Sequence, residues 1–207
     1  MGIISNPLQR VLLSCGIIAA LLYLGTDLLA GKLVKGYHIF VHSMSDLSAA
    51  GSSVRPLVLT LNLVAGVCLI AFSVGIWNAA GPAILPKIIS VLITLNVLAS
   101  LVSAIFFPNT LGERPVFATP GVLLMFISVL SFVLAMVFGA FAFPNWMRIL
   151  SIIIPAIYIL LAALRFITAS LSPVKTEGLI GTQERTMVWG FLLWIVSLSI
   201  YLRNQLH

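Results

Sequence analysis

Charge is what this 207-residue chain has least of: Asp, Glu, Lys and Arg make up 8% of it, where a water-soluble domain carries about a quarter. With 61% hydrophobic residues there is too little polar surface to cover a globule in water, so the chain reads as an integral membrane protein. Its basic residues are scattered singly, without a Lys/Arg run or interleaved aromatics, which speaks against nucleic acid as a partner. In a multispan protein the formal net charge of +6 instead reflects orientation signals and contact with lipid headgroups. Cysteine is nearly missing too. Cys15 and Cys68 lie in apolar segments with no CxxC or CxxCH, which argues against an iron–sulfur centre, a zinc ribbon and attached haem. No GxSxG, HExxH, P-loop or dinucleotide fingerprint is present, so no motif names a reaction. No small-residue cleavage site follows the first apolar stretch, which is therefore expected to stay in the mature chain.

What the sequence does have is six apolar runs, at about 10–29, 57–78, 88–107, 119–143, 149–171 and 186–203. Each approaches the ~20 residues a helix needs to cross a bilayer core. The runs are continuous and lack in–out alternation, which excludes a membrane barrel. The fold class expected is all-α: a polytopic bundle of six transmembrane helices in a single domain, 1–207, with a short amphipathic or re-entrant helix after the first span. Gly81-Pro82 and Pro86, Phe107-Pro108-Asn109 and Phe143-Pro144-Asn145 interrupt the runs by ordinary helix-stop chemistry. Trp77, Trp146, Trp189 and Tyr201 fall near span ends, where amphipathic rings favour the interface.

The connections alternate in character. Those at 78–87 and 144–148 are short; those at 30–56, 108–118 and 172–185 are longer and hold nearly every ionisable group. All five carboxylates, Asp27, Asp46, Glu113, Glu177 and Glu184, fall on the long-connection side together with His38 and His42, while Arg10, Lys87, Arg148 and Arg203 lie opposite with no acid. Carboxylates are costly near hydrocarbon, so this one-sided collection reads as a polar working face. Lys and Arg number seven on that face against four opposite, but Arg55, Arg114, Arg165 and Arg185 stand where acids could pair with them. Leaving those four aside, Arg10 directly before the first span tips the positive-inside balance toward cytoplasmic termini, in a prokaryotic cytoplasmic membrane.

The most informative stretch outside the spans is Tyr37 to Leu47. As a helix it aligns His38, His42 and Asp46 at i, i+4, i+8, a spacing at which two imidazoles and a carboxylate can share zinc. The same residues also read as a capping box, Ser43-Met44-Ser45-Asp46, in which Asp46 reaches back to the Ser43 amide and the histidines precede the cap. With only three histidines in the chain, no bound metal and no other cofactor is expected. Asp27 is read as ending the first span. Arg165 lies about 9 Å inside the fifth, where it must snorkel or pair, with Asp27 or Asp46 as the partners in reach. Asn62 and Asn96 add intramembrane hydrogen-bonding groups that also serve as interhelical glue. Gly181-Thr182-Gln183-Glu184-Arg185 reads as a helix start with Thr182 as its cap; Arg185 is unfavourable there unless it has a partner.

Ser45-Asp46-Leu47-Ser48-Ala49-Ala50-Gly51, Asn62 and Gly66, Phe107-Pro108-Asn109, and Gly181-Thr182-Gln183-Glu184-Arg185 with Trp194 occur in an order and spacing that resembles the prokaryotic membrane family known as domain of unknown function 998. The resemblance implies a six-span protein with the Ser-Asp-Leu element after the first span and the Glu-Arg element before the last. It also implies a histidine just after the Phe-Pro motif. Here the chain has Ala118-Thr119-Pro120-Gly121 instead, which weakens the case for metal further. The family brings no activity with it.

Three functional readings follow. In the first, Asp27, His38, His42, Asp46, Asn62, Arg165, Glu184 and Arg185 line an extracytoplasmic pocket for a lipid headgroup or small amphiphile, with His42 or Asp46 as the base if there is hydrolysis. In the second the same groups only lock helices together in a non-catalytic partner or sensor. The third, a small transporter, requires Asn96 to connect the pocket to the far side and lacks a charged residue in mid-bundle. Membrane lipids are the partners expected in every case.

Overall fold

The computed structural model describes residues 7–110, 119–171 and 180–205, without the side chains of Arg165, Phe166, residues 168–171 and Ile180. Seven helices are built from them: α1 Pro7–Leu33, α2 Met44–Ser48, α3 Arg55–Ala79, α4 Ile84–Phe106, α5 Pro120–Ala142, α6 Asn145–Leu171 and α7 Ile180–Asn204. All but α2 are long and apolar enough to cross a membrane. The chain is thus an all-helical, multi-pass membrane protein. Pro56 and Pro120 stand in the first turns of α3 and α5, where a missing N–H costs nothing. Phe107 and Phe143 leave the helical region and cap α4 and α5, each ahead of a proline. Asn145 then turns the chain into α6 at φ 57°, a left-handed conformation that asparagine tolerates better than most residues.

Two helix ends differ from the expected ones, and both differences matter for the site. α1 runs on to Leu33, which sets Asp27 inside the helix instead of at its end. α7 begins at Ile180, so Thr182 is not its cap. The Thr182 amide and hydroxyl both donate to the Phe40 carbonyl, at 3.0 and 3.1 Å. A neighbouring segment thereby satisfies a first-turn N–H that a side-chain cap would otherwise take.

Each spanning helix packs on the next along the chain, and α1 closes the ring against α7. The main apolar cluster fills only part of this ring. Leu13, Phe72, Ile76, Ile89, Ile93, Met136, Met147, Trp194, Ile195 and Leu198 are its largest fully buried members. They lie in the half of each helix nearest the short connections, or close to its midpoint. Polar groups within it are paired across helices: Gln9 Nε2 donates to the Gly75 carbonyl at 2.6 Å, Ser199 Oγ to Leu13 O at 2.7 Å, and Trp194 Nε1 to Ser151 Oγ at 2.8 Å. Asn96 Nδ2 reaches Ser128 O at 3.0 Å and Ser128 Oγ at 2.8 Å, the glue role foreseen for it. Gly139 makes this fit possible, because a Cβ there would stand 2.8 Å from the Trp194 ring.

Towards the long connections the packing changes. A small satellite cluster of Ala30, Leu47, Val54 and Val58, with Val34 and Tyr37 against it, anchors α2 on α1 and α3. Among the described side chains, α6 is thinly covered just beyond mid-membrane. Of Ile159 through Leu164 five are exposed and none is buried, and six consecutive residues cover every side of a helix.

Candidate functional site at the long-connection end

The polar centre of this end is an ion pair. Asp27 on α1 and Arg185 on α7 are 3% and 2% exposed and meet in a fork, Nε to Oδ2 at 3.0 Å and Nη2 to Oδ1 at 2.9 Å. The second Nη2 hydrogen goes to the Tyr37 hydroxyl at 2.6 Å. Nη1 donates to the carbonyls of Ile39 and of His42, the latter at 2.9 Å. A guanidinium has five N–H donors, and all five are taken. The Tyr37 hydroxyl in turn donates to the Ser43 carbonyl at 2.8 Å. Burial pushes the Tyr37 phenol above its ordinary pKa, against a smaller opposite pull from Arg185, so it stays a donor at neutral pH. Gly181 allows the close approach: a Cβ there would run into the carbonyls of Ile39 and His42. One arginine therefore ties α7 to α1 and to the segment that joins α1 to α2.

A second carboxylate fastens α2. Glu184 Oε2 accepts from the Met44 amide at 2.8 Å and from the Ser43 hydroxyl. Ser43 is the N-cap of α2 in a complete capping box: Asp46 Oδ2 accepts from the Ser43 amide at 3.1 Å, and Ser43 Oγ accepts from the Ser45 amide at 3.1 Å. Arg55 is bonded to backbone, Nε to Ser48 O at 3.1 Å and Nη2 to Ala104 O at 3.2 Å. The Ala50 amide donates to Asn109 O at 2.8 Å, so the start of the third connection is held as well.

These contacts decide between the two sequence readings of the 37–47 stretch. Because α2 begins only at Met44, His38 and His42 precede it, and the three-residue stripe does not form. Asp46 turns back to the cap. Among the described residues no group of three His, Cys, Asp or Glu side chains is placed to share a metal ion. The two imidazoles stack at 6.1 Å between centroids, and His42 stacks on Tyr37 at 5.2 Å. The His38 amide donates to His42 Nδ1 at 2.9 Å. A neutral His42 must then carry its proton on Nε2, which makes it a donor and leaves no free nitrogen for a base.

Asp27, which the sequence offered to Arg165, is held by Arg185. Both arginines were in reach by depth; Arg185, in the second turn of α7, also finds the loop carbonyls that fill its other donors. The Arg165 side chain, with Glu113, Arg114 and Glu177, lies outside the described residues. Asn62 sits on the inward stripe of α3, between Val58 and Ala65, yet its Oδ1 is buried with no partner. Trp189 Nε1 is the other buried side-chain polar atom without one among the described residues. It follows Arg185 by one turn and precedes buried Leu192 by three residues, so it shares their face of α7. Sequence reasoning placed Trp189 at the interface. The i, i+4, i+7 spacing of Arg185, Trp189 and Leu192 was the signal available for facing it inward.

A family model described as "Protein of unknown function (DUF998)" matches residues 17–201, a stretch that contains every residue of this network. The chain belongs to the DUF998 family. No curated protein and no solved structure matches it. Family membership agrees with the multi-pass bundle and carries no activity, so function has to be argued from the geometry.

Proposed function

We propose that this DUF998 protein binds an amphiphile of the membrane, receiving its polar part in the half of the bundle that the long connections close. The observation that carries this reading is the pair of unpartnered buried atoms, the Asn62 carbonyl oxygen and the Trp189 indole N–H. A buried polar group left unsatisfied costs about 1–3 kcal/mol. Here an acceptor and a donor both face inward, on the helices next to a guanidinium whose five N–H donors are all taken. An amphiphile whose headgroup carries both donors and acceptors, such as hydroxyls, amides or glycerol esters, has the groups to satisfy each of them. The exposure of five of the six residues Ile159–Leu164 on α6 supports lateral entry from lipid. Asp27, Arg185, Glu184 and Asp46 then act as the frame, and Asn62 and Trp189 as contacts. His38 and His42 offer donors at the mouth. The commitment of His42 Nδ1 and of Asp46 to local backbone favours binding over hydrolytic turnover.

The test is to purify the protein in mild detergent and identify the lipids that stay with it by mass spectrometry. One amphiphile enriched over the bulk lipid, and lost from Asn62→Leu and Trp189→Phe variants whose unfolding temperature is unchanged or higher, is the expected result. An identical lipid complement in all three proteins overturns the reading. It would favour the alternative that the saturated Arg185 also supports, a non-catalytic partner protein whose polar groups only lock helices. For Asn96, its commitment to Ser128 gives the transporter alternative no support.

The binding end is further proposed to be extracytoplasmic, with the termini in the cytoplasm. Pairing of Arg185 with Asp27 and of Arg55 with carbonyls removes both from the orientation count, while Arg10 remains exposed in the first turn of α1. In a Cys15→Ser/Cys68→Ser background, a cysteine at Lys35 should react with an impermeant thiol reagent in intact cells, and one at Gln205 only after permeabilisation. The reverse pattern inverts the assignment.

A further inference from the structure

On the opposite side of mid-membrane, α3 and α4 leave a groove of about 410 Å³ between them. Small residues form its floor: Ser73 and Ser90 are buried, with Ser90 Oγ donating to Ser73 O at 2.7 Å and Ser73 Oγ to Leu69 O at 3.0 Å. Their hydroxyls are thus spent on backbone and present no unmet polar group. The rim is large, apolar and open, with Val74, Trp77, Val91 and Leu98 each about half exposed. Large side chains on either side of a serine floor make a channel that runs along the helices from the short-connection end toward mid-membrane. In a bilayer such a channel faces acyl chains.

Its interfacial end is marked by charge. Trp77 closes the groove there, and Lys87 Nζ lies over the Trp77 ring, 5.5 Å from its centroid. The described ionisable groups at this end of the bundle, Arg10, Lys87, Arg148 and Arg203, are all basic, and the described carboxylates, Asp27, Asp46 and Glu184, all lie at the other. A lysine held at a groove mouth by a ring face has its ammonium free for a phosphate, and cations near an anionic leaflet gain about 1 kcal/mol each.

We propose that the α3–α4 groove is a binding site for one anionic phospholipid of the leaflet on the short-connection side, with an acyl chain between Ser73 and Ser90 and its phosphate at Lys87. This site is independent of the amphiphile site at the other end. It assigns a function to Lys87 and to the serine floor that the polar network does not use.

A photo-crosslinking amino acid at Val91 tests it. Val91 is the eighth residue of α4, and exposed Ile152 is the eighth of α6, which makes Ile152 the control at matched depth outside the groove. The two proteins are reconstituted in vesicles of equal parts phosphatidylglycerol and phosphatidylcholine and irradiated, and the attached lipid is identified by mass spectrometry. Phosphatidylglycerol should be enriched at 91 and not at 152, and Lys87→Gln should reduce that enrichment about five-fold, the factor equivalent to the loss of one such contact. Equal class distributions at 91 and 152, or enrichment at 91 that Lys87→Gln leaves unchanged, would falsify the proposal, the first by making the groove bulk lipid and the second by removing its headgroup contact.

Discussion

The two halves of this bundle solve the same problem by different means. Toward the short connections, helices meet through interlocked apolar side chains and single neutral hydrogen bonds, such as Trp194 to Ser151 across α7 and α6. Toward the long connections they meet through a charged network, in which Arg185 and Asp27 hold α7, α1 and the following loop. Between helices in lipid there is no hydrophobic driving force, so shape fit and hydrogen bonds carry association. The first half uses mostly fit and the second mostly hydrogen bonds. The difference teaches where function can sit. A half whose interior is filled by apolar side chains has no room for a ligand inside the bundle, and its α3–α4 groove opens outward to lipid. A half held by a polar frame can keep its helices in place while two inward polar atoms stay unmet.

The sharpest way to break this comparison is to remove the frame. Arg185→Met leaves the Asp27 carboxylate buried without its partner, and stranding a buried charge costs about 3–5 kcal/mol. It also deprives Tyr37 and two loop carbonyls of their donor. Arg185→Met combined with Asp27→Asn should be better tolerated than the sum of the single changes, because the pair's net worth is small beside the penalty of leaving one member alone. Reversible unfolding in mixed micelles measures all three variants. A loss below about 1 kcal/mol for Arg185→Met would mean that the outer half is held by something other than this pair.

Most of the architecture was legible because it depends on composition and run length. Six apolar segments long enough to cross a bilayer leave few other ways to satisfy the backbone, and the prolines and the Phe-Pro-Asn stops mark the ends. The Ser43–Asp46 capping box could be read as well, since its contacts lie within four residues. What could not be read were choices between distant partners. Nothing local distinguishes Arg165 from Arg185 as the mate of Asp27: both are arginines near the same end of a span. Arg185 holds Asp27 where the 37–43 segment also offers it the Tyr37 hydroxyl and two carbonyls, and that segment's path is a tertiary fact. Glu184 followed the same logic. A first-turn acid reads as a dipole partner for its own helix, whereas it holds the amide and hydroxyl that begin α2. Helix ends moved for a related reason, since α7 gained a turn once Phe40 could accept from Thr182.

A finer test uses two tryptophans on one helix. Trp194 and Trp189 are five residues apart on α7 and differ in one respect that the comparison depends on: the Trp194 N–H has Ser151, and the Trp189 N–H has nothing. Replacing each by Phe removes the same N–H and the same ring volume. In Trp194→Phe a made hydrogen bond worth about 1 kcal/mol is lost, and the smaller ring leaves a void in a fully buried site, for a combined cost of about 1–3 kcal/mol. In Trp189→Phe the donor removed was costing stability already, and its surroundings are only partly closed, so the change should fall within about 0.5 kcal/mol of zero or be stabilising. Unfolding free energies of the two variants, measured in detergent stripped of endogenous lipid, should therefore differ by more than about 1 kcal/mol. Adding back the amphiphile that co-purifies should then stabilise the parent protein and Trp194→Phe, and Trp189→Phe less. Equal costs for the two substitutions would place Trp189 in the same kind of packed, satisfied environment as Trp194, and the distinction between a filled half and a framed half would be lost.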